Sequence, residues 1–114
     1  MARYDWSKPV SSLLNKLQQN GFTIAAVNDG METEKMDPNK SNLYNRKLAT
    51  EVITSVDEAG MRVTKGDKRG FVYIVLGNDP EELVCDYTDW DDLEEVITAH
   101  SRQWEGKKCP VVAD

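Results

Sequence analysis

The sequence predicts an α+β protein: a two-layer domain with a mostly antiparallel sheet of 3–4 strands and about three helices, in the order α-β-α-β-β-β-α. Two observations lead to this. Helical apolar stripes stand near both ends, at Val10, Leu13, Leu14, Leu17 and at Leu93, Val96, Ile97, His100, Trp104. Between Met61 and Tyr87 short apolar runs alternate with glycine turns, the pattern of a meander rather than of βαβ units. The 114 residues suit one domain, read as residues 1–106, with 107–114 as a tail after the helix-stopping Gly106.

The elements follow in order. Ser7 is the expected cap of the first helix, Pro9 fits its first turn, and Asn20-Gly21 ends it. Phe22 to Val27 suits a strand, and Asn28-Asp29-Gly30 a turn. Residues 29–39, "DGMETEKMDPN", have no apolar period and read as a loop. A second helix is expected from Asn39 to Ala59. Leu48, Val52 and Val56 would stack on its inner face, widened by Ala49 and Ile53, and Gly60 would close it. Met61 to Thr64 and Phe71 to Leu76 form a hairpin, with Gly66-Asp67 and Gly70 in the turn. The second of these strands is apolar on both faces, which marks it as central. Glu82 to Tyr87 is the next strand, with Cys85 expected in the core. The last helix runs from Asp89 to Trp104, capped by Thr88 or Asp89.

Charge is the strongest remaining signal. Gly70 to Ser101 carries nine acids and no Lys or Arg, while residues 1–69 carry nine acids and eleven bases. The net charge of −6 therefore belongs to one third of the chain. It is densest in "DYTDWDDLEEV", residues 86–96. Helix capping and the helix dipole explain acids in the first turn, but both effects fade within that turn. A basic partner explains the whole run, because complementary charge speeds encounter. The partner-binding candidates are Asp86, Asp89, Trp90, Asp91, Asp92, Glu94 and Glu95. Trp90 would be either an exposed anchor or a side chain packed back on the sheet. An alternative is nucleic-acid contact through Arg62, Lys65, Lys68 and Arg69 on the hairpin, whose positive charge suits phosphates. These two oppositely charged regions also permit self-association into a homo-oligomer, or pairing within one chain.

Enzymatic chemistry finds no support in the residues. There is no catalytic residue set, no phosphate-cradling glycine loop and no nucleophile motif. His100, the single histidine, falls on an apolar stripe and reads as a hydrogen-bonded residue at the core edge. Asp91 and Glu95, or Asp86 and Asp89, are spaced to share a hard cation, but no calcium-loop spacing, no nearby imidazole and no cofactor motif occurs, so no metal and no cofactor are expected. The chain has no membrane-length apolar run and no signal-peptide core. Its two cysteines make no disulfide framework, which suits a reducing, cytoplasmic setting.

The stretch "FVYIVLGNDPEELVCDYTDWDDLEEVITAHSRQWEGK" resembles small uncharacterised proteins of bacteriophages and integrated mobile elements. The resemblance covers the C-terminal part, in its strand, its "LGNDPEELVCDYTD" turn-strand and its "WEGK" helix end. It implies a modulator of host proteins rather than an enzyme. The charge separately raises the hypothesis of a nucleic-acid mimic.

Overall fold

A computed structural model describes residues 4–77 and 79–111. Three helices, α1 (Ser7–Gln19), α2 (Asn42–Thr54) and α3 (Asp91–Gln103), cover one face of a five-stranded antiparallel sheet. The strands are β1 (Thr23–Asn28), β2 (Thr33–Lys35), β3 (Glu58–Lys65), β4 (Lys68–Val75) and β5 (Val84–Tyr87), and they stand in the order β2-β1-β3-β4-β5. The α+β class and the three helices agree with the expectation. The sheet has five strands rather than three or four.

The extra strand is β2, inside the stretch expected to be a loop. The Asp29 carboxylate accepts from the N–H groups of Met31 and Glu32, which closes a turn and holds its pKa below the ordinary value. Gly30 takes φ 97° there. The chain then returns antiparallel to β1, pairing Asn28 with Thr33 and Ala26 with Lys35. All three β2 residues are exposed at the sheet edge, so the strand lacks the apolar alternation that marks a half-buried one.

In α1, Val10, Leu13, Leu14 and Leu17 are all fully buried. This helix packs against both α2 and α3 and forms the middle of the helix layer. Its first turn is held by Asp5 rather than by Ser7: the Asp5 carboxylate accepts from the Ser7 backbone N–H at 3.1 Å and from the Ser7 hydroxyl. The second helix is shorter than expected. Ser41 caps it by accepting from Tyr44 N–H, and it ends at Thr54. Its buried face is Asn45, Ala49, Thr50 and Ile53, with Leu48 and Val52 only partly covered. Gly60 does not close it. That residue lies inside β3, which starts at Glu58.

The hairpin turn is Gly66-Asp67, with Lys65 paired to Lys68. Gly66 has φ 62° and, among the described residues, no non-glycine residue has positive φ, so Asp67 does not; this is the type II′ pattern. The central strand is β3, not β4. Only one face of β4 is buried, through Val72 and Ile74. Phe71 and Tyr73 lie on the opposite, uncovered face, where Phe71 is 44% exposed. The two cysteines exchange their expected settings. Cys85 is exposed and Cys109 is buried. Cys109 is held there by the chain ends, since Asp5 N–H donates to the Pro110 carbonyl and Tyr4 bridges to Val111.

Candidate functional site

Most of the singled-out charges meet at the tip of the β3–β4 hairpin, where it passes the start of α3. The two-residue turn fixes the register, and the pleat sends alternate side chains to opposite faces. Lys65 and Lys68 turn to the helix side. The Lys65 ammonium stands 3.4 Å from the Asp92 carboxylate and 5.1 Å from the Phe22 ring centroid. The Lys68 ammonium stands 5.7 Å from the Trp90 ring. Arg62 faces the uncovered side of the sheet, opposite Phe71.

Trp90 is the pivot of the site. It is 9% exposed, not an open anchor, and its ring meets Phe22 edge-on at 5.1 Å. Gly70 makes this possible: a Cβ there would come within 3.2 Å of the indole. The neighbouring Thr88 is not a helix cap. Its hydroxyl accepts from Phe71 N–H at 2.8 Å, which ties the end of β5 to β4. Nor does Asp89 cap the helix. Trp90 occupies the cap position, and no side chain accepts a capping hydrogen bond there. The indole Nε1 is buried without a partner.

An open cleft of about 630 Å³ results, lined by Lys68, Arg69, Thr88, Asp89, Trp90, Asp91 and Asp92. The structure thus brings six candidates from the two proposed surfaces into one place, and Lys65 joins through Asp92. It separates the others. Glu94 and Glu95 are exposed farther along α3, and Asp86 lies opposite Tyr73 in the sheet. Phe22, Gly70, Thr88 and the aromatic pair Phe71 and Tyr73 are additions that the sequence reading missed. The register set by the Gly66-Asp67 turn is the signal that would have placed Phe71 beside Arg62.

His100 is a core residue, 1% exposed, with neither ring nitrogen hydrogen-bonded. Burial lowers its pKa to about 4 and the charge of Lys16 acts the same way. The Pro80 carbonyl opposes them without closing an ordinary hydrogen bond. The expectation of a hydrogen-bonded imidazole is corrected accordingly. Among the described residues no three His, Cys, Asp or Glu side chains converge as metal ligands, and no helix is long and apolar enough to cross a membrane. The chain matches no protein-family model, no curated protein and no solved structure in the comparisons made.

Proposed function

We propose that this chain is a small interaction protein that binds a basic protein surface through the acidic face begun by Asp89 and continued along α3. One observation carries the reading. Asp89, Asp91, Asp92, Glu94 and Glu95 are all exposed, and among the described residues only Asp92 has an ion-pair partner. The helix dipole favours the carboxylates of the first turn by about 0.3–1 kcal/mol each. It gives no comparable support to Glu95, and no capping bond accounts for Asp89. Like charges in a row cost stability, and a basic partner removes that cost on binding. Trp90 serves by fixing the backbone from which the acids project. A phosphate-binding surface of a host DNA-binding protein is the kind of target such a face would mimic nucleic acid to reach.

The experiment is affinity capture from host lysate at low and moderate salt, with the wild type beside a variant. The variant has Asp89, Asp91 and Asp92 changed to Asn and Glu94 and Glu95 changed to Gln, with folding checked by circular dichroism. The proposal expects a basic protein held by the wild type, released by salt and absent from the folded variant. Retention of the same partner by both baits, or of none, rejects it.

A second reading rests on the uncovered sheet face. Arg62 opposes Phe71, and Tyr73 opposes Gly60, at which an added Cβ would meet nothing. A cation beside the exposed Phe71 ring suits single-stranded nucleic acid, whose bases stack on aromatics. Of the hairpin cations, Lys65 and Lys68 are already engaged within the chain. Salt-sensitive binding of a fluorescent oligonucleotide that is lost in Phe71→Ala selects this reading over the first.

A further inference from the structure

A second cleft, of about 700 Å³, opens between α1 and α2 and shares no lining residue with the Trp90 cleft. Its size is that of a small-molecule site. Its charge runs against that of the chain: Lys8, Arg46 and Lys47 line it with a single carboxylate, Glu51, in a protein of net charge −6.

Two side chains in it lack the partners their setting calls for. Arg46 is half-buried, yet among the described residues it has no ion-pair partner. Its Nη1 donates instead to two neutral amides, Asn15 Oδ1 at 2.8 Å and Gln18 Oε1 at 3.1 Å. These bonds aim the guanidinium without neutralising it. Its Nε and Nη2 donors have no acceptor among the described residues, and a planar fork of this kind suits a tetrahedral oxyanion. Thr50 stands one turn farther along α2. It is 8% exposed, and its hydroxyl has no hydrogen-bond partner. A helical threonine commonly donates to the carbonyl four residues back. Thr54 does so, to the Thr50 carbonyl at 2.8 Å, whereas Thr50 does not. A buried hydroxyl left without a partner destabilises the fold. A half-buried cation without a counter-ion thus stands one turn from a buried hydroxyl without an acceptor; that hydroxyl is sealed from solvent, so a ligand in the cleft reaches it only when the Thr50 side chain rotates.

We infer that the α1–α2 cleft binds a phosphate group, free or as the monoester of a small metabolite, with Arg46, Lys47 and Lys8 supplying charge and the Thr50 hydroxyl donating. The cleft runs open between two packed helices, and its volume suits a small ligand. Glu51 selects against polyanions by repulsion at the same cleft.

The test is an amide-shift NMR titration of the full chain with inorganic phosphate and, separately, glycerol 3-phosphate, with sodium chloride of equal ionic strength as control. The inference expects saturable shifts confined to α1 and α2 with at least one phosphate species. Thr50→Val and Arg46→Gln should each weaken binding by about tenfold or more. Since Arg46 also ties Asn15 and Gln18, Lys47→Gln stands in for it should that variant misfold. Tighter binding of the ester assigns an organic phosphate, and tighter binding of the inorganic ion assigns free phosphate; both support the site. Shifts that chloride reproduces, that fail to saturate, or that survive the substitutions overturn it.

Discussion

Gly70 and Gly60 lie on adjacent strands and make opposite demands. A Cβ on Gly70 would stand 3.2 Å from the Trp90 ring and 3.4 Å from Thr88, both fixed by packing. Gly70→Ala should therefore destabilise the fold by about 1–3 kcal/mol, the usual cost of overpacking. Gly60→Ala meets open space, and in a strand it should be neutral or gain up to about 1 kcal/mol through lost chain entropy. Urea unfolding of the two variants measures the contrast, and equal effects would show that Trp90 does not press on β4. His100 makes the second prediction at this scale. Its pKa is about 4 in the folded chain against an ordinary 6.5, first because of burial. Between those values the unfolded chain binds the proton and the folded chain does not, so stability falls as pH drops through that window. From about pH 7 to about pH 5 the loss should be about 2 kcal/mol. His100→Leu should flatten that part of the stability profile. A profile that is unchanged by the substitution assigns the acid sensitivity to other groups.

Each helix is fixed in place by a different balance of cap and stripe. Ser41 caps α2, accepting from Tyr44 N–H at 3.1 Å. Ser41→Ala should cost about 0.5–2 kcal/mol, read as a lower urea midpoint with an unchanged slope. Thr88→Ala should instead act on the sheet, freeing the Phe71 N–H that it now satisfies. These caps show what the sequence disclosed. The stripes of α1 and α3 were legible because four side chains in each are buried at helical spacing. The stripe of α2 was misjudged by one position: its inner face holds Asn45 and Thr50, polar letters that do not advertise burial. The edge strand β2 was invisible for the related reason that an exposed strand has no face to pattern. In β4 the error ran the other way. Phe71 and Tyr73 carry apolar or aromatic side chains on a face that no helix covers, so a one-sided strand looked central. For the site, the acidic run and the basic hairpin were both plain, but their meeting at Trp90 depends on strand register and on a missing Cβ.

At the scale of the molecule the two chain ends form a closure that the thiols can report. Asp5 N–H donates to Pro110 at 2.7 Å and Tyr4 bridges to Val111, which leaves Cys109 only 8% exposed. Cys85 instead sits on the edge strand β5 and is exposed. Both thiols have raised pKa values: partial desolvation dominates at Cys85, with Asp86 and Glu58 adding to it, and burial dominates at Cys109, with Asp5 adding. A thiol reagent acts on the thiolate, so neither should match the rate of a free cysteine near neutral pH. Access then separates them. The native protein should label in two phases, Cys85 first and Cys109 at least about tenfold more slowly, through opening of the terminal bridge rather than global unfolding. Cys85→Ser should remove the fast phase alone, and Tyr4→Gly together with Val111→Gly should speed the slow one while leaving the urea midpoint nearly unchanged. Labelling of both thiols in one phase would mean that the ends do not close over Cys109. A slow phase that tracks global unfolding would make the closure part of the core, on the same footing as the α1 stripe.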